Sequence, residues 1–156
     1  MSLTVYPLNL CGQVYGIPMP FGLYDPGGTL LQDLKAADIS AIVLLAEIEE
    51  CREKTGRDLL AVYREEGLTV VPLPTPNYGI PSNSQLADVL KQARARASDG
   101  HNILIHCSAG LGRTALFAAL MAKDVLRLSG REAIEWLGRH KPDALLTPSQ
   151  IAMILG

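Results

Sequence analysis

The sequence predicts an α/β domain with a mainly parallel central sheet of about four to five strands and helices on both faces. Three observations predict it. Short apolar runs alternate with amphipathic segments along most of the chain, and the last part carries helical patterns only. The runs at residues 40–45 and 102–105 are apolar without alternation, as strands buried on both faces of a parallel sheet are. The second run leads into a glycine-rich loop and then an Ala/Leu-rich stretch, a strand–loop–helix unit. At 156 residues the chain has the size of one domain, so residues 1–156 are read as a single unit able to bury its own core.

The elements follow in order. Residues 1–24 are interrupted by Pro7, Gly12, Gly16, Pro18, Pro20 and Gly22. They read as an irregular segment packed on the core, or as short edge strands at 3–5 and 13–15. Asp25-Pro26-Gly27-Gly28 is a turn, and Thr29 with Gln32 has the spacing of a capping box opening a short helix to about Ala37. Residues 40–45 form a buried strand, 47–54 a charged surface helical turn, 57–67 a helix stopped by Gly67, and 68–73 the next strand. Residues 74–81 are a loop at a strand end, where open α/β sheets place ligand-handling segments. Ser82 with Gln85 has the spacing of a second capping box, opening a helix with Leu86, Val89, Leu90, Ala93 and Ala97 on one face and Asp88, Lys91, Arg94 and Arg96 on a solvated one. After the strand at 102–105 and its loop comes a helix apolar nearly all round until Lys123. Ser129 with Glu132 caps a helix carrying Trp136 as a core residue, and Thr147-Pro148-Ser149-Gln150 opens the last one.

Composition narrows the function classes. With 48% apolar residues and a net charge of −2 the chain reads as an ordinary soluble globule, without the basic excess that nucleic acid or an anionic membrane demands. No apolar run approaches a membrane span, and the N-terminus lacks the pattern of a secretory leader. Cys11, Cys51 and Cys107 are an odd, sparse set, which argues for a reduced, cytoplasmic setting rather than a disulfide scaffold. His101, His106 and His140 are dispersed without ligand spacing, so no metal or other cofactor is called for.

The chemistry concentrates in His106-Cys107-Ser108-Ala109-Gly110-Leu111-Gly112-Arg113-Thr114. A glycine loop between a strand and a helix start turns backbone N–H groups inward over the positive helix end, which makes an anion site. Arg113 can hold two phosphate oxygens through its planar fork. The same groups favour the thiolate of Cys107, its nucleophilic form.

The pattern His-Cys-x-x-Gly-x-Gly-Arg-Thr resembles the signature loop of cysteine-dependent protein phosphatases, the tyrosine and dual-specificity superfamily. From about Asp25 onward the order of pieces is similar to small dual-specificity phosphatases, nearest to the kinase-associated phosphatase (cyclin-dependent kinase inhibitor 3)-like group. The resemblance implies a dual-specificity phosphatase-like fold, attack of a thiolate on phosphorus, a phosphocysteine intermediate and its hydrolysis by water. It makes Cys107 the nucleophile and Arg113 the phosphate clamp, with Ser108, Ala109, Gly110, Leu111 and Gly112 cradling the substrate. It also makes Thr114 a hydroxyl near the sulfur and His106 a residue that tunes the thiolate from behind. The implied partner is a phosphorylated protein or a small phosphomonoester.

Residues 67–81 resemble the strand and general-acid loop of the same group, which runs into Pro-x-x-Asp-x-Gly-x-Pro. Here the loop reads Pro74-Thr75-Pro76-Asn77-Tyr78-Gly79-Ile80-Pro81, so Asn77 falls where the acid would stand. An amide can hydrogen-bond to a departing oxygen but cannot hand it a proton, and a well-placed acid contributes ~10²–10⁴ in rate. A phenolate (pKa about 10) leaves far more easily than an alkoxide, so activity should favour aryl phosphates such as phosphotyrosine. Asp143 and Asp88 are other acids that could serve, each more often read as a surface charge. Gln150 fits a water-positioning glutamine and a helix cap equally well. The alternative function is a catalytically weak phosphate-binding module. Sulfur- and arsenate-handling enzymes place such a loop near the N-terminus, and here it lies two-thirds along. Phosphoinositide headgroups call for added cations, which the variable loop positions Ser108 and Leu111 do not provide.

Overall fold

The computed structural model of the chain describes residues 3–156. In chain order the elements are β1 (Thr4–Tyr6), β2 (Val14–Ile17), α1 (Thr29–Ala36), β3 (Ile39–Leu44), α2 (Ile48–Thr55), α3 (Leu59–Glu65), β4 (Thr69–Pro72), α4 (Asn83–Ser98), β5 (Asn102–His106), α5 (Arg113–Val125), α6 (Gly130–His140) and α7 (Pro148–Leu155). The five strands form one sheet in the order β1-β2-β5-β3-β4. β1 runs antiparallel to β2, and the pairs β2–β5, β5–β3 and β3–β4 are parallel. The mainly parallel α/β sheet expected from the sequence is therefore present.

Strand pleating sorts the core into two layers. Ile103, Ile105 and Val43 face a layer that includes Val89, Ala93, Phe117, Met121, Trp136 and Ile154, contributed by α4 to α7. Leu104, Ile42 and Leu44 face the other layer, with Leu30, Leu34, Leu59 and Tyr63 from α1 and α3. Residues 113–122 of α5 are all buried, which explains why its sequence is apolar nearly all round. Trp136 is in the core as expected, stacked on Tyr6 with ring centroids 6.0 Å apart.

Three expectations are corrected. Residues 3–24 hold two strands rather than an irregular segment; β1 is the edge strand expected near 3–5, but the second strand is not an edge. β2 lies inside the sheet, with Val14 opposite Ile103 and Ile17 opposite His106. Its Gly16 is needed for close packing, because a Cβ there would lie 2.7 Å from Tyr6 Cε2. The pair Thr29 and Gln32 does not cap α1 either. The Asp25 carboxylate accepts the amides of Thr29 and Leu30, both at 3.0 Å, and Gly28 makes the entry at φ 71°. Ser82 sits at the N-cap of α4 but spends its hydroxyl on Gln85 Oε1 at 3.2 Å, whereas Ser129 and Thr147 form full capping boxes.

Register positions the site. Ile17 of β2 and Leu44 of β3 both pair with His106, so three parallel strands end at one level. Cys107 follows at once, at the carboxyl edge of the sheet, between the segments that leave β2 and β3.

Candidate active site

The loop at residues 107–112 is fixed from three sides. Met19 N donates to Ser108 O at 2.7 Å, Leu145 N donates to Leu111 O at 2.7 Å, and Leu45 N donates to His106 O at 3.0 Å. Gly110 takes φ 81°, and a Cβ on it would press against Ile17 O at 3.1 Å, so both conformation and space demand glycine there. Among the described residues no protein acceptor takes the amides of residues 108–112. Such a ring of free N–H groups at a helix start is suited to a bound anion.

Cys107 is buried, and the Thr114 hydroxyl donates to its Sγ at 3.1 Å. His106 is fully buried behind it. Its Nδ1 lies 2.9 Å from the Cys107 carbonyl and its Nε2 lies 2.7 Å from the Tyr63 hydroxyl. A carbonyl only accepts, so Nδ1 carries the proton. Burial, opposed in part by that backbone bond, pulls the imidazole down to about 4. The ring is then neutral at pH 7, and bare Nε2 accepts from Tyr63, whose phenol burial keeps protonated. His106 thus acts on the backbone of Cys107 and not on its sulfur.

Arg113 reaches from the first position of α5 to α2 and the loop after β4. Its Nη1 and Nη2 donate to the two Glu50 oxygens at 2.7 and 2.6 Å, and Nη1 also donates to Thr75 O at 2.9 Å. Glu50 also accepts from Lys54 Nζ at 3.0 Å, and Lys54 Nζ donates onward to Ser108 Oγ at 2.8 Å. Burial pushes the Glu50 carboxyl up, but the bonds from Arg113 and Lys54 outweigh it and hold it down at about 2. For Arg113 burial opposes the charge, and Glu50 and Cys107 more than restore it.

These groups open into a cavity of about 740 Å³. Asn77, Cys107, Ser108, Ala109, Leu111, Gly112, Arg113 and Gln150 line it, whereas Gly110, His106 and Thr114 of the sequence-predicted set do not. Asn77 is exposed, on a loop tied down by its neighbours. Gly79 N closes a turn onto Pro76 O at 2.8 Å, Thr147 Oγ1 donates to Tyr78 O at 3.2 Å, and Gln150 Nε2 donates to Gly79 O at 3.0 Å. Gln150 Oε1 also accepts from Thr147 N at 3.0 Å, so one buried side chain caps α7 and lines the cavity. Asp143 and Asp88 lie elsewhere: Asp143 is 65% exposed beside Lys141, and Asp88 accepts from Gln92 on the outer face of α4. Among the described residues no carboxylate lines the cavity.

A family model described as "Tc-R-P: Polymorphic toxin system, DSP-PTPase phosphatase" matches residues 22–124. The chain belongs to this family. The matched span holds Glu50, Asn77 and the whole 107–114 loop, and leaves out Gln150. Mouse "Cyclin-dependent kinase inhibitor 3" is 26% identical over 106 residues, covering 68% of this chain and 50% of that protein. The fold is that of a solved kinase associated phosphatase, at TM-score 0.89 and 20% identity over 99% of this chain and 92% of the other. "Tk-PTP in the active form" superposes with TM-score 0.77 at 28% identity, covering 97% and 95% of the two chains. The chain spans half or less of the first curated relatives it matches, from 13% to 50% of their length. The superfamily and the kinase-associated phosphatase likeness read from the sequence are thereby borne out.

Sequence reasoning missed parts of this phosphatase-type site. Glu50 and Lys54 sit in the stretch read as a charged surface turn. Their signal was available: a Glu and a Lys at i, i+4 in the first helix after a parallel strand, at the edge where such sheets gather ligands. Phe21, Gly22, Leu23, Tyr24 and Pro26, from the stretch around the turn at Asp25, also line the cavity, as do Tyr78 and Leu145. No helix among the described residues is long and apolar enough to cross a membrane.

Proposed function

We propose that the chain hydrolyses phosphomonoesters, preferably aryl ones such as phosphotyrosine, through a phosphocysteine intermediate on Cys107. The observation that carries this reading is the convergence on one anion-ready loop of a buried sulfur, a hydroxyl 3.1 Å from it and an arginine gripped by a carboxylate. The Cys107 thiolate attacks phosphorus and the ester oxygen departs. Arg113 and the loop amides take the charge on the equatorial oxygens. Thr114 donates to the sulfur as it leaves in the second step, when water attacks phosphocysteine. Gln150 is the candidate to orient that water. Neutral His106 fixes the backbone beneath the nucleophile.

Asn77 takes the general-acid position and donates only a hydrogen bond. A cavity without a lining carboxylate offers no replacement carboxylic acid for Asn77, which favours leaving groups stable as anions. The same observation favours a second reading, a phosphate-binding module that turns over slowly. Turnover of an aryl phosphate by the native chain and by Asn77→Asp, with Cys107→Ser as blank, decides between them. A gain of ~10²–10⁴ in the Asp variant is expected if Asn77 holds the acid's place. Equal rates in both forms would remove Asn77 from the mechanism. Absence of turnover in both would leave the binding module.

A further inference from the structure

We propose that Lys54 is a specificity residue: it reads an acidic group next to the phosphotyrosine of a peptide substrate. The proposal rests on the phosphomonoesterase reading above. The variable loop positions Ser108 and Leu111 are not basic, yet a cation is delivered to the first of them from α2. Lys54 and Arg113 are the cationic side chains that line the cavity among the described residues.

The two cations differ in what they have left to give. Arg113 is buried and bonded to Glu50 and Thr75, and on the proposed mechanism its remaining N–H groups serve the phosphate itself. Lys54 has a side chain 38% exposed and two anchors, Glu50 Oε2 and Ser108 Oγ. An ammonium carries three donors, so one N–H remains, held beside the loop at little further entropic cost. Glu50 Oε2 is shared by Lys54 Nζ at 3.0 Å and Arg113 Nη2 at 2.6 Å, so neither cation has a carboxylate of its own. The remaining N–H of Lys54 suits one anionic group placed beside the phosphate.

The rest of the mouth favours a peptide over a polyanionic headgroup. Leu23, Tyr24, Tyr78 and Leu145 are exposed and apolar or aromatic, and all line the cavity. A ring substrate gains contact on that rim. A headgroup with several phosphates would meet one available ammonium and an apolar collar.

The test compares kcat/KM on two phosphotyrosine peptides that differ only in having Glu or Gln beside the phosphotyrosine. The native chain should prefer the Glu peptide by about fivefold at low ionic strength, the size of one partly exposed charge pair. Lys54→Met should bring that ratio to about one, and Lys54→Arg should keep it. The native preference should also fade with added salt, a readout that needs no variant. A ratio unchanged in Lys54→Met would overturn the proposal and leave Lys54 as support for Glu50 and Arg113. Faster turnover of a soluble inositol phosphate than of either peptide would overturn it in favour of a headgroup. If no peptide is turned over, the phosphomonoesterase reading fails separately. The ratio is then read from peptide Kd values of Cys107→Ser with and without Lys54→Met, where equal values would end the proposal.

Discussion

At the floor of the cavity Arg113 is 3% exposed and held by three hydrogen bonds, whereas at the mouth Leu23 is 84% exposed. The floor is a closed set of charge-assisted and neutral bonds: Glu50 to Arg113 and Lys54, Thr114 to Cys107, His106 to Tyr63. The mouth is made of side chains that make few such bonds and present apolar surface. The difference separates two tasks. Groups on the floor are fixed before anything binds, so they can meet developing charge without reorganising. Groups at the mouth are exposed, and on the proposed function they are the ones that meet the part of the substrate beyond its phosphate.

The largest effect should come from breaking the floor. Arg113→Lys keeps one positive charge but loses the fork that spans both Glu50 oxygens and a phosphate. On the proposed mechanism, kcat for an aryl phosphate should drop by about 10²–10³. Glu50→Gln should fall less far, because Arg113 keeps its charge and its bond to Thr75 O. Steady-state rates for the two variants check this order. An Arg113→Lys variant as fast as the native chain would dissolve the distinction between floor and mouth.

Acid should loosen the floor before it touches the mouth. His106 is held at about 4 against an ordinary 6.5, chiefly by burial. Between those values the unfolded chain binds a proton that the folded chain refuses. Stability therefore rises with pH across the interval and is lost as pH falls through it, by ~3 kcal/mol in all. Glu50 acts in the same direction lower down. Its carboxyl sits at about 2 against an ordinary 4.5, so its contribution is complete above 4.5 and disappears as pH falls toward 2. Urea unfolding of the native chain and of His106→Gln, across the upper interval, is the check. The variant should show a flatter slope there, and an unchanged slope would mean that another group carries the acid sensitivity.

The same contrast explains what was legible in the sequence. The loop from His106 to Thr114 is contiguous, and its glycines, cysteine and arginine announce themselves by spacing. Its α5 and β5 flanks follow from unbroken apolar runs. The grip of Glu50 on Arg113 joins residues 63 positions apart, and that of Lys54 on Ser108 joins residues 54 apart. The i, i+4 spacing of Glu50 and Lys54 marks the two as a pair on one helix, but no local pattern names their distant partners Arg113 and Ser108. β2 was equally hard to read, because its four residues include a glycine and its partner β5 lies far along the chain. At α1 two acceptable caps compete within five residues. Asp25 wins because its carboxylate reaches two amides at once. Asn77 was legible as a departure from a family pattern, and the structure places it on the lining of the cavity.

The smallest effects belong to the mouth, and they are the sharpest test of the division. Leu23 and Leu145 are 84% and 68% exposed, so truncating them removes little buried area and should leave thermal stability nearly unchanged. What they lose is apolar contact with a bound ring. Covering roughly half of an exposed leucine is worth about 1 kcal/mol at 25 cal/mol per Å², so KM for an aryl phosphate should rise about fivefold in Leu23→Ser. Because the contact is made in the ground state and the transition state alike, kcat should stay close to native. A small alkyl phosphate, which cannot reach the rim, should show no change in KM. Should kcat fall instead, the segment at Leu23 would be acting on the loop beneath it through Met19, whose amide holds Ser108 O at 2.7 Å, and the mouth would have to be counted as part of the floor.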